Sequence, residues 1–140
     1  MFVWIVDMKP MRGVLMRKLN RRAIVKKLDK ACALHVKERD DWECRWCHKE
    51  VSGHDAQWAH IIPRSDGYRL RWEPRNAVCL CYRCHSSFFH EQGLGRVWFD
   101  VEYPEEIEWL LEQKALGTKK FTTSDLQELF EWFKENTDGL

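Results

Sequence analysis

The sequence predicts an α+β fold: one small domain whose two short strands and following helix are tied together by a cluster of cysteines. Three observations carry this expectation. The cysteines include two C-x-x-C pairs, Cys44 with Cys47 and Cys81 with Cys84, separated by 33 residues. Between the pairs lie two short runs of strand character, residues 57–62 and 77–80. Outside them, apolar residues recur at helical spacing. With 140 residues, of which 44% are apolar, the chain has enough material for one core with appendages.

Each element has a local reason. Residues 9–20 are basic without a clear period, so residues 1–20 read as a basic arm. Residues 21–38 read as a helix, with Ile24, Leu28, Ala31, Cys32 and His35 on one stripe and most lysines and arginines off it. Asp40-Asp41 leads into the first cysteine knuckle, and Ser52-Gly53-His54-Asp55 has turn composition. Pro63 ends the first strand because it cannot donate to a ladder. Residues 64–75 form an Arg-rich loop, and residues 84–92 form a helix stopped by Gly93 and Gly95. Two acidic helices close the chain. Pro104 suits a first helical position, and Gly117 the stop that follows. Thr123 or Ser124 caps the last helix, whose stripe is Leu126, Leu129, Phe130 and Phe133. The expected organisation is therefore an arm over 1–20, a domain over 21–99 and an acidic helical extension over 100–140, packed on the same domain. The eight tryptophans have no sequence-level account.

Charge is unevenly spread. Residues 9–39 carry eleven Lys and Arg against two acids, whereas residues 100–140 carry four Lys against eleven acids. A basic segment of this kind suits a polyanion, with neutralisation by the acidic tail as the competing explanation. No apolar run is long enough to cross a bilayer, and residues 1–6 lack the basic leader and cleavage site of a secretion signal. A soluble cytoplasmic protein with no membrane partner is expected. The residues give no oligomeric state.

Six cysteines allow three disulfides, but paired C-x-x-C motifs without a secretion signal favour metal in a reducing compartment. Cys44, Cys47, Cys81 and Cys84 are expected to hold one structural Zn²⁺, because four thiolates close a tetrahedron and leave no position for water. Cys32 reads as a buried small apolar residue. Cys79 is an alternative to Cys81 as ligand, and spacing favours Cys81.

His60, Asn76 and His85 stand between and beside the knuckles. The segment Trp58-Ala59-His60-Ile61-Ile62-Pro63-Arg64-Ser65 and the segment Asn76-Ala77-Val78-Cys79-Leu80-Cys81-Tyr82-Arg83-Cys84-His85 together resemble the HNH, or ββα-metal, nuclease superfamily, which has a treble-clef-like core. The loop Gly67-Tyr68-Arg69-Leu70-Arg71-Trp72-Glu73-Pro74-Arg75-Asn76 narrows the resemblance to phage-encoded HNH proteins, including the NinG-like recombination family. The resemblance spans roughly residues 28–99.

It implies a metal-dependent DNA endonuclease, phage- or prophage-encoded, leaving 5′-phosphate and 3′-hydroxyl ends. By position, His60 is the implied general base, Asn76 the residue that holds the loop or the His60 ring, and His85 a ligand of one catalytic Mg²⁺ or Mn²⁺. Imidazole titrates near neutral pH and can accept a proton from water, and a cation on the phosphate neutralises developing charge. Ala59 departs from the pattern, since many members carry a metal ligand there. His90 is the first substitute by ligand type, with Glu91, Asp66 and Glu73 as alternatives. Arg64, Arg69, Arg71 and Arg75, with Lys26 and Lys27 on the basic helix, are candidates for DNA backbone contacts. His35, His48 and His54 read as structural or surface residues. The competing function is a non-catalytic zinc-knuckle protein that binds nucleic acid.

Overall fold

The computed structural model describes residues 20–140, so the expected basic arm lies, apart from Asn20, outside the described residues. Helix α1 spans Arg21–Arg39, and the Asn20 side chain caps it by accepting from the Arg22 amide at 3.0 Å. Its buried face is Ile24, Leu28, Ala31, Cys32 and Val36. His35, expected on that stripe, is instead half-buried towards the last helix, with Nδ1 2.9 Å from Thr137 Oγ1.

The first knuckle follows through left-handed backbone at Asp41 and Trp42. The buried Asp40 carboxylate accepts from the Cys79 amide at 2.8 Å, and the Arg45 amide donates to the Cys79 carbonyl at 2.9 Å. The knuckle is thereby fastened to strand β2, Ala77–Leu80, which pairs antiparallel with β1, Gln57–His60. Trp58 lies opposite Cys79 and His60 opposite Ala77. β1 ends two residues before the expected boundary: the Ile61 amide still bonds the Asn76 carbonyl, but the Asn76 amide turns to the Glu73 carbonyl and the Ile62 amide to the Asn76 side chain. All four β2 residues are buried, so the ribbon is covered on both sides.

One core joins the knuckles to Ala59, Val78, Leu80, Phe89, Phe99, Ile107 and Leu110. The other joins α1 to Trp72, Phe121, Leu126, Leu129 and Phe133. Among the described residues, some of the tryptophans form seams between elements. Trp46 in the knuckle stacks on Trp98 at 4.7 Å and 12°, and Trp109 lies 3.8 Å under the Arg75 guanidinium.

The segment after the second knuckle is a π-helix, Cys84–Glu91, with the Gln92 amide bonded to the Ser87 carbonyl five residues back. Gly93 then takes φ +66°, the left-handed turn that ends it. Gly95, expected to be a second stop, instead opens helix α2, Gly95–Glu102, which the sequence reading missed. Helix α3 follows at Pro104–Ala115 and α4 at Thr123–Asn136. The α4 cap is Thr122 rather than Thr123 or Ser124, in a reciprocal capping box with Asp125. No helix among the described residues is long and apolar enough to cross a membrane.

At Gly95 the requirement is space, since a β-carbon there would run into the Phe89 ring. Gly95→Ala should therefore cost about 1–3 kcal/mol, the usual range for overpacking. Urea denaturation measures it, and an unchanged midpoint would show that Phe89 can move aside.

Candidate active site

The site is built at one end of the β1–β2 ribbon. His60 is the last residue of β1, and its Nε2 lies 2.8 Å from the Arg71 carbonyl oxygen. A carbonyl only accepts, so Nε2 carries the proton and donates, and Nδ1 keeps the free lone pair. The ring packs beside Trp58 at 4.1 Å between centroids. Burial pushes the His60 pKa down to about 4, so the imidazole is neutral at pH 7.

Asn76 is fully buried and makes three side-chain hydrogen bonds. Its Oδ1 accepts from the Ile62 amide at 2.8 Å, and its Nδ2 donates to the Ile62 and Leu70 carbonyls at 2.9 and 3.0 Å. It closes the base of the loop that leaves β1 and returns at Arg71. These bonds brace the loop, and none of them runs from the Asn76 side chain to His60.

His85 sits in the first turn of the π-helix. Its Nδ1 lies 3.4 Å from Gln57 Oε1, and its Nε2 lies 2.8 Å from Nε2 of His90. The wide π turn explains that meeting, because five-residue spacing stacks two side chains along a π-helix as four-residue spacing does along an α-helix. Burial first, then the charges of His90 and His60, lower the His85 pKa to about 4. His60 is thus within electrostatic reach of His85. Gln57 is a contact that sequence reasoning missed. It accepts from Nδ1–H and so turns Nε2 towards His90, and its only sequence signal is its place on β1 three residues before His60.

Two of the three other proposed ligands are used elsewhere. Asp66 pairs with Lys114 at 3.1 Å, and the Glu73 side chain accepts from the Arg75 amide. Glu91 is exposed. Ala59 is fully buried within the core.

The four expected zinc ligands do converge. Cys44, Cys47, Cys81 and Cys84 bring their sulfurs within 4.8 Å of one another, and they form the only cluster of three or more potential ligands among the described residues. The Cys47 and Cys81 sulfurs are 3.8 Å apart. Tetrahedral zinc with bonds of about 2.3 Å requires sulfur separations of about 3.8 Å, so the donor set fits that ion. The Cys79 amide and carbonyl tie the knuckle to β2, while Cys81 occupies the cluster.

The basic candidates divide. Arg71 forms a two-pronged ion pair with Asp29, at 3.0 and 2.7 Å. Arg75 pairs with Glu106 at 2.7 Å. Their guanidinium groups hold the fold together, contrary to the expectation of two free phosphate contacts. Arg69 donates to the Gly117 carbonyl, while Arg64, Lys26 and Lys27 are exposed.

Residues 44–96 match the family model described as HNH endonuclease. The match runs from the first knuckle through the ribbon and the π-helix to the start of α2. No curated protein and no solved structure matches the chain.

Proposed function

We propose that the protein is a metal-dependent DNA endonuclease of the HNH type. The observation that carries this reading is the pairing of two sets of imidazoles. His60 has Nε2 committed to a carbonyl and Nδ1 free, while His85 and His90 turn their Nε2 atoms to one point. The similarity of residues 44–96 to HNH endonucleases supports it. DNA as substrate and a phage or prophage origin rest on the resemblance of the 67–76 loop.

His60 Nδ1 takes a proton from a water molecule whose oxygen forms the new bond to phosphorus. The bond to the 3′ oxygen breaks, that oxygen gains a proton, and the ends are 5′-phosphate and 3′-hydroxyl. Arg71, through its carbonyl, keeps the His60 ring in the tautomer this requires. Asn76 keeps the loop in register. His85 and His90 would hold the catalytic cation, with Gln57 fixing the His85 tautomer. When bound, the cation supplies Lewis-acid stabilisation of the phosphate and of the departing oxygen. Two imidazoles without a carboxylate favour a borderline transition ion over Mg²⁺, which shifts the sequence expectation towards Mn²⁺ and its heavier neighbours. Arg64, Lys26 and Lys27 remain the available backbone contacts, and the structural zinc holds the two knuckles around the ribbon.

The test is conversion of supercoiled plasmid by zinc-loaded protein with Mn²⁺, Co²⁺, Ni²⁺ or Mg²⁺. Cleavage that depends on the added ion is expected. DNA binding without cleavage under every ion would favour the non-catalytic knuckle protein, the reading that Ala59 supports.

Metal titration gives a sharper expectation. His90→Ala should raise the ion concentration for half-maximal cleavage by about 100-fold or more, and Gln57→Leu by about 10–100-fold, the scale of losing an orienting partner. An unchanged titration for His90→Ala would remove His90 from the metal shell.

A further inference from the structure

We propose that Asp29, on α1 and outside the segment that matches the nuclease family, is a positioning residue for the His60 base; the proposal rests on the reading of His60 given above. The carboxylate gathers three donors. Arg71 Nε and Nη2 reach its two oxygens at 3.0 and 2.7 Å, and Trp72 Nε1 reaches Oδ1 at 2.9 Å. Arg71 and Trp72 are consecutive, so one carboxylate grips the side chains on both sides of a single peptide unit. The carbonyl of that unit is the Arg71 oxygen that accepts from His60 Nε2 at 2.8 Å.

The grip is stiff at each end. A forked Arg–carboxylate pair fixes orientation as well as distance. Trp72 is 1% exposed and stands in the core with Leu28, Phe121 and Leu126. Asp29 is carried by α1 between the buried Leu28 and the buried Ala31. Its position is therefore set by the helix. The chain of contacts runs from the Asp29 side chain on α1 by hydrogen bonds to the Arg71 and Trp72 side chains, through their covalent frame to the 71–72 peptide, and by a further hydrogen bond from its carbonyl to the imidazole. Without the carboxylate, Arg71 would be a mostly buried cation with no anionic partner, held only by the Tyr68 and Trp72 rings, and the peptide that orients His60 would be free to shift with it.

A purely structural role would lower stability and leave the base alone, so the test reads the His60 ring directly. Nitrogen-15 NMR of the full-length zinc-loaded protein should show His60 as a single Nε2–H tautomer with a slowly exchanging ring proton. Asp29→Ala should mix the tautomers and speed that exchange about tenfold or more. It should lower kcat on plasmid by about 10–100-fold with KM little changed, since a small misplacement of a reacting group can cost about 100-fold. Asp29→Glu, which keeps a carboxylate, should recover most of both effects. Asp29→Asn, of equal size, carries the same expectation at reduced amplitude if the alanine variant does not fold. Wild-type ring signals and kcat in a folded Asp29 variant, whatever its melting temperature, would overturn the proposal. If the wild-type protein cuts no DNA, the nuclease reading fails by itself, and the ring signals still decide whether Asp29 positions His60.

Discussion

His60→Ala should lower the cleavage rate by about 10²–10⁴-fold, the range for a general base. The variant should still bind DNA and retain its zinc. His60 lies at the end of β1 with one nitrogen bonded to the Arg71 carbonyl, and its removal leaves the cysteine cluster and the His85–His90 pair in place. The pH profile should identify the same group. Burial holds the His60 pKa near 4, below the ordinary 6.5, so the base is already neutral at pH 7 and the acid limb of the rate should fall well under pH 6.5. The folded protein resists the proton that the unfolded chain accepts near pH 6.5. This group's contribution to stability should therefore fall as pH drops from about 6.5 towards about 4 and level off below that. Single-turnover kinetics on saturating DNA from pH 4 to 8 would measure the rate and its limb together. A His60→Ala protein that cuts at the wild-type rate would end the assignment.

Cys84→Ser should cost the protein its zinc and with it much of its fold. Cys84 is 2% exposed and sits where the second knuckle enters the π-helix, so a metal bound there would join the two halves of the first core. A structural zinc contributes about 10–16 kcal/mol of apparent binding energy at neutral pH, against about 5–15 kcal/mol for the whole stability of a typical domain. Burial holds the Cys84 and Cys81 thiols above their ordinary range, so binding the ion must release protons and should weaken as pH falls. Metal analysis with far-ultraviolet circular dichroism checks the result. A serine variant that holds one equivalent of zinc and melts like wild type would show that three cysteines suffice.

Much of this architecture is legible in the residues, where the signal is local. The α1 stripe, the two C-x-x-C turns, Pro104 and Gly117 each act within a few residues, and the elements they foretell are present. The losses are long-range or concern hydrogen-bond register. Gly93 and Gly95 look alike in sequence, yet one supplies a left-handed turn and the other an empty space beside Phe89. Arg71 and Arg75 read as surface cations because Asp29 and Glu106, which claim them, are 42 and 31 residues away. Gln57 has no motif, and its relation to His85 exists only once the ribbon has formed. The order of His60, Asn76 and His85 was readable, but which atoms each offers was not.

The π-helix has a consequence for how such sites are recognised at all. A π turn is an α-helical turn that has taken in one extra residue. Two histidines spaced H-x-x-x-H on an α-helix and the His85-x-x-x-x-His90 spacing here can therefore present the same pair of nitrogens, with the surplus residue absorbed by the backbone. Spacing along the chain and spacing in space are separable quantities in this segment. A rule that looks only for histidines four residues apart on a helix would pass over this pair, although its two nitrogens lie 2.8 Å apart.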